Sequence, residues 1–202
     1  MSGLDHLLAK SLESTLRDNL GKKTVKKVED RLFTKHGISL TQAMEQFHKI
    51  DAVLREFFGA GADGLEGKFL QNICKVKQKS KEKNWFTITD SKIIQAILES
   101  YGDDDKACIL NCVSSEPKIT ADILKHCKIP QTSGCRKINS LIDNGLLVTE
   151  GYIVASDGRK VNKYRTVFDN VRINIESKIT VDVQLNRPNY NESSVLQVVY
   201  AT

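Results

Sequence analysis

Four polar side chains, Ser133, Arg136, Lys137 and Ser140, recur at i, i+3, i+4 and i+7, the spacing that collects residues on one face of a helix. Cys135, Ile138, Leu141 and Ile142 supply the opposite, apolar face. An arginine so placed can donate a bidentate pair to a guanine edge and a lysine can neutralise a phosphate. Gln131 and Thr132 near the helix start add groups that the positive end of the helix dipole assists. A second basic edge comes from Arg159, Lys160, Lys163 and Arg165 after the turn Ser156-Asp157-Gly158, placed to lie on a minor groove or a phosphate backbone. A solvated helix face and edge lysines that discourage strand aggregation are the competing readings.

The elements that must hold these residues are legible around them. Residues 105–115 and 119–127 read as helices, Ile129-Pro130 breaks the chain, and a third helix runs from 132 to 144 until Gly145 stops it. Residues 146–148, 152–154 and 161–168 carry β signal. A preceding helix, capped by Thr89 or Asp90 and ended by Gly102, joins this unit. Helix, helix, turn, helix and hairpin predict a winged helix-turn-helix over 89–168. Upstream, residues 1–74 predict an all-α domain. Leu4 to Leu20 form one stripe closed by Gly21, and Val25, Val28, Leu32 and Phe33 a second ended by Gly37. Ser39 with Gln42 makes a capping box before a third helix with Met44, Phe47, Leu54, Phe57 and Phe58, and a fourth lies around Leu65, Phe69 and Ile73. Residues 75–88 read as a basic linker. Residues 169–202 alternate strictly at Val171, Ile173, Ile175, Ile179, Val181, Val183 and Leu185, a β-hairpin extension to which Val195 to Tyr200 add a candidate strand. The fold class is α+β.

Charge narrows the partners. The chain has 202 residues, 40% hydrophobic and 27% charged, with net charge +5, which excludes wholesale disorder. Segments 1–74, 75–103, 104–168 and 169–202 carry 11, 6, 10 and 3 basic against 10, 4, 7 and 4 acidic side chains. The positive excess therefore sits in the middle, densest at Lys75-Val-Lys-Gln-Lys-Ser-Lys-Glu-Lys83, as a polyanion-binding surface or a solvated linker requires. No stretch is long and apolar enough for a membrane span or a signal peptide, so a cytoplasmic protein is expected. Five cysteines without a framework predict reduced, packed thiols; Cys108 and Cys112 at i, i+4, with His126-Cys127 and Cys135 in neighbouring helices, offer a metal or thiol sensor as the competing reading, but no C-x-x-C pair is present. Gly59-Ala-Gly61-Ala-Asp-Gly64 matches the dinucleotide fingerprint formally, but a helix rather than a strand precedes it, so an interhelical turn is expected. No catalytic constellation and no cofactor motif is legible, and a non-enzymatic role follows.

Asp104-Asp-Lys106 onward, Ile119-Thr-Ala-Asp-Ile-Leu124, Ile129-Pro-Gln-Thr-Ser-Gly-Cys-Arg-Lys-Ile-Asn-Ser-Leu-Ile-Asp-Asn-Gly-Leu-Leu147 and Ser156-Asp-Gly-Arg-Lys-Val-Asn-Lys-Tyr-Arg165 resemble archaeal winged-helix transcription regulators of the broad ArsR-like type. Leu20-Gly-Lys-Lys-Thr24, His36-Gly37 and Phe57-Phe-Gly-Ala-Gly61 are similar to the helical module called the Nitrosopumilus output domain. The resemblance implies a transcription regulator that binds double-stranded DNA as a homodimer. A non-enzymatic adaptor of the transcription machinery is the alternative.

Overall fold

Leucine spacing drives the first element. In α1 (Gly3–His36), Leu4, Leu7, Leu8, Leu12 and Leu16 are buried, followed by Val25, Val28 and Leu32. Gly21, with φ 70° and ψ 158°, kinks the helix where the leucine stripe ends. Phe33, expected in the second stripe, is instead 71% exposed: Leu32 already fills the inward position, and the next residue turns a helix step of roughly 100° away. Ser39 forms the expected capping box with Gln42, but on the short α2 (Leu40–Met44). The expected third helix is thus split, its remainder being α3 (Phe47–Phe58). Gly59 and Ala60 turn the chain into α4 (Gly61–Gln71), so the expected interhelical turn is confined to these two residues, and Gly61 to Gly64 of the glycine-rich segment form the first turn of the helix.

The computed structural model describes residues 3–76, 85–176 and 178–200. Most of the lysine cluster, residues 77–83, lies outside them. Its flanks are strands, β1 (Cys74–Val76) and β2 (Trp85–Ile88), paired antiparallel with Val76 opposite Phe86. Residues 85–88, read as the end of a linker, thus belong to a sheet. Trp85, Phe86 and Ile88 are buried, a strand signal that the lysine-rich composition beside it masks.

Next come α5 (Ser91–Tyr101), capped by Asp90, and α6 (Asp104–Cys112), capped by Asp103. They lead through β3 (Lys118–Ile119) to α7 (Thr120–Cys127) and α8 (Gln131–Asp143). The strands β4 (Leu147–Val154) and β5 (Lys160–Thr166) form an antiparallel hairpin, and β3 adds to β5 to give the order β3-β5-β4. Through the buried Val167, β5 passes into β6 (Phe168–Ile175), which pairs with β7 (Ile179–Leu185). β7 lies on β2, completing a sheet of order β1-β2-β7-β6. On its polar face Thr87 Oγ1 and Asn174 Nδ2 donate to Asp182 at 2.7 and 3.0 Å. The Arg172 guanidinium stacks 4.1 Å above the Trp85 ring. After α9 (Arg187–Glu192), the segment expected as a strand at 195–200 is the helix α10 (Ser194–Tyr200), packed on α3 and α4. The molecule is mixed α+β, a long helical region followed by antiparallel sheets, with one hydrophobic core running through both. Among the described residues no helix is long and apolar enough to cross a membrane.

The helical region and the α8–β4 turn meet at Gly145. α8 ends in a Schellman motif: Leu146 N–H donates to Leu141 O at 2.9 Å and Gly145 N–H to Ile142 O at 2.9 Å, which requires the left-handed φ of 70° at Gly145. A Cβ there would lie 2.7 Å from the Leu7 Cα. Gly145→Ala is therefore expected to destabilise the protein by roughly 2–4 kcal/mol, combining a left-handed alanine with backbone overpacking; denaturant titration with an unchanged midpoint would show that α1 yields without cost.

Glu66 is buried with Oε1 unpartnered. Burial, then the charge of Asp51, pushes its carboxyl from 4.5 up to about 8, while Arg55 works in the opposite direction. The folded state therefore holds a proton that the unfolded chain has lost, so stability falls as pH rises from the unfolded value through about 8. Glu66→Gln removes that loss. Its melting temperature is expected to exceed the wild type's by a margin that widens between pH 5 and pH 8, and parallel melting profiles would sink the assignment.

Candidate nucleic-acid interface

Two helix ends and a hairpin converge on one surface. At the C-terminus of α7, Lys128 takes a left-handed φ of 54°, and Ile129 N–H donates to Leu124 O at 3.0 Å. Pro130 then sets the first turn of α8, with Gly134 N–H donating to Pro130 O at 2.9 Å. This tight turn lets α8 cross directly over α7. A Cβ on Gly134 would meet the end of the Leu124 side chain, which would have to turn aside, so glycine eases the approach.

The crossing sets which face of α8 looks outward. Gly134, Ile138 and Leu141 are buried, while Cys135 and Ile142 are only half-buried. The polar face is rotated accordingly: Gln131, Thr132, Arg136 and Asn139 are exposed, and Ser133, Lys137 and Ser140 flank them on the side of α6. Ser133 Oγ donates to Pro130 O at 3.1 Å, and Lys106 Nζ donates to Ser140 Oγ at 3.2 Å. Lys137 Nζ donates to both Asp103 oxygens at 2.7 and 2.5 Å and lies 3.4 Å from Asp105. Hydrogen bonding to Asp103 raises the Lys137 ammonium above its ordinary range and, in return, holds Asp103 below the usual carboxylate range. A phosphate would have to compete for Lys137, whereas Arg136 has no carboxylate partner among the described residues. Asn139 is an outward residue that sequence spacing missed; the signal was Gly134, whose missing side chain marks the inner line of the helix.

The hairpin contributes unevenly. Arg159, its side chain 82% exposed, pairs with Asp157 at 2.7 Å. Lys160 Nζ sits 4.5 Å from the centroid of the exposed Tyr152 ring. Arg165 donates to Glu150 at 3.3 Å. Lys163 is half-buried and lines a cleft with Glu116, Lys118, Asp122 and His126. Gln131 and Arg159 come together across a groove of about 800 Å³ between α7, the start of α8 and β5. Lys125 and Lys128 complete its basic rim, and Leu124, Ile129 and Val161 line its floor. Those two lysines fall in a basic stretch of the sequence but were not assigned to the site; the left-handed turn brings them there.

The cysteine expectation is corrected here. Cys108 and Cys127 are joined by a disulfide with Cα atoms 5.9 Å apart, tying α6 to the last residue of α7, while Cys74, Cys112 and Cys135 are free. A separation of 19 residues leaves no local motif, and the Cys108/Cys112 pair at i, i+4 drew attention to the wrong neighbour. Among the described residues no group of three or more His, Cys, Asp or Glu could hold a metal ion.

No protein-family model, curated protein or solved structure matches this chain.

The Lys137–Asp103 pair is testable without any ligand. Lys137→Met is expected to let the Asp103 carboxyl titrate closer to the ordinary carboxylate range, and to abolish the part of the stability that is present above that range and lost as pH falls through the depressed value. Carboxyl-carbon NMR titration reads this directly; an unmoved Asp103 would separate the two residues.

Proposed function

We propose that this protein is a DNA-binding transcription regulator, reading duplex DNA with a winged helix-turn-helix made of α6, α7, α8 and the β4–β5 hairpin. The observation that carries this reading is the surface where the exposed N-terminal half of α8 and the basic groove at Lys125, Lys128, Gln131 and Arg159 adjoin. The element order and the sheet order β3-β5-β4 support it, because they are those of a winged helix. In this reading Gln131, Thr132, Arg136 and Asn139 face base edges. Lys125, Lys128 and Lys163 meet phosphates, and Arg159 and Lys160 serve as the wing. The regulator acts in the cytoplasm as a homodimer, since paired recognition helices suit two-fold operators.

A specific observation favours a second reading, an adaptor of the transcription machinery. Lys137, Arg159 and Arg165 are already neutralised by Asp103, Asp157 and Glu150, and a protein partner demands less free charge than a polyanion.

Fluorescence anisotropy on labelled duplexes separates the two. DNA binding should weaken steeply with salt, and Lys125→Ala or Lys128→Ala should each flatten the salt slope by about one while weakening all sequences alike. Arg136→Ala should cost about 1–3 kcal/mol on a selected site and relax preference there. Binding that is absent at low salt, in wild type and variants alike, would leave the adaptor reading.

A further inference from the structure

We infer that Cys108 and Cys127 form a reversible thiol–disulfide site that takes low-molecular-weight thiols as its co-substrate and tunes the basic groove. The second half of this inference rests on the DNA-binding reading; the first does not. Three features of the structure point to it.

The pair is accessible and selective. Both cysteines are half-buried at the surface between α6 and α7, within reach of a small thiol, whereas Cys112, one turn further along α6, is buried and its thiol is pushed up by that burial. Cys74 lies deeper still, its thiol pushed up to about 12. A thiolate attacks a disulfide sulfur only where it can reach it, and Cys135, the other half-buried cysteine, is in no disulfide, so among the described residues this pair is the one bond open to exchange.

The bond is also not the sole tie between the two helices. α6 and α7 pack on one another as well, with Ile109, Leu110, Ile123 and Leu124 buried in the core. A disulfide needed for assembly would sit where such packing is thin.

Finally, the bond ends on the residue next to the groove. Cys127 directly precedes Lys128, whose left-handed backbone turns the chain towards Gln131, and Lys125 stands one half-turn before it. Clamping Cys127 to α6 holds the end of α7 and the rim lysines in place. Releasing it frees the last turn of α7 while the core stays packed.

The chemistry closes on itself. A thiolate RS⁻ attacks one sulfur of the Cys108–Cys127 bond, forming a mixed disulfide and expelling the other cysteine as a thiolate. A second RS⁻ attacks the mixed disulfide at the sulfur of R, releasing RSSR and the second cysteine thiolate. Two thiols are oxidised to one disulfide while one cystine is reduced to two cysteines by the same two electrons, and the two protons of the thiols end on the cysteines.

The test uses the full chain. Protein equilibrated in buffers of varied reduced to oxidised glutathione ratio is quenched in acid, alkylated and mapped by peptide mass. Cys108 and Cys127 should convert together and reversibly, while Cys74, Cys112 and Cys135 stay alkylatable throughout. Failure to exchange at any ratio, or recruitment of another cysteine, overturns the site. Anisotropy on a random-sequence duplex should then show the oxidised form binding about fivefold or more tightly than the reduced form, because preorganisation of the rim lysines is lost on reduction. The difference should vanish in Cys127→Ser, and wild-type protein in its two redox states makes the comparison even where that variant folds poorly. Equal affinities would overturn the tuning. Should neither state bind DNA, the DNA reading falls by itself and hydrogen exchange decides the rest. Faster exchange confined to the end of α7 on reduction supports the clamp, and identical exchange in both states overturns it.

Discussion

The Asp5 carboxylate is the fixed point of the structure. It is buried in the first turn of α1, where it accepts from Ser193 Oγ at 2.5 Å, from Ser194 N–H and Oγ at 2.7 Å each, and from Val195 N–H at 3.5 Å. Burial raises its carboxyl above the ordinary range, and the hydrogen bonds from Ser193, Ser194 and Val195 work against that shift without cancelling it, so the buried group is fully engaged. Ser194 Oγ also accepts from Phe47 N–H at 2.8 Å, satisfying an N-terminal donor of α3, a helix with no side-chain cap of its own. One carboxylate thus organises α1, α3 and α10. Because α10 follows from β7 through α9, the β1-β2-β7-β6 sheet is anchored to the helical region by the same contact.

Local signals in the sequence resolved the elements well and their tertiary contacts poorly. The leucine stripe, the Ser39 capping box, a cap at Asp90 and the stop at Gly145 are all decided within a few residues and are present, and at Gly21, expected to end a helix, the backbone leaves helical geometry inside α1. The helix at 195–200 was read as a strand because Val195, Val198 and Val199 favour strands. What overrides that preference is non-local: Asp5 supplies its N-terminal partner and α3 and α4 its apolar bed. The same holds for the disulfide, whose two cysteines share no motif, and for Asp5, which in isolation reads only as an acid complementing a helix dipole.

The candidate site shows a similar division at finer scale. That α8 is a helix with a polar face was legible; the rotation of that face was not, because Cys135 looks like a better core residue than Gly134. The close passage of α8 over Leu124 reverses the choice, since the inward glycine leaves room for the end of the Leu124 side chain. Arg136 stays outward under either rotation. Lys137 does not, and its place near Asp103 turns an expected phosphate contact into a tie between α6 and α8.

Charge on this surface is therefore better counted by partner than by residue. Arg159 and Arg165 each face a carboxylate on their own hairpin, Lys160 an aromatic ring, and Lys137 two aspartates. Among the described residues Lys125, Lys128 and Arg136 face none. A polyanion gains most from cations that need not first be released from a neighbour, because the energy of an exposed pair is small but its competition for the same donors is direct. These cations lie at the end of α7 and on the outward line of α8, so on this surface the helices rather than the β4–β5 hairpin carry most of the unpaired charge. The hairpin, with Tyr152, Ile153 and Val154 exposed beside its paired arginines, presents apolar surface and little unpaired charge.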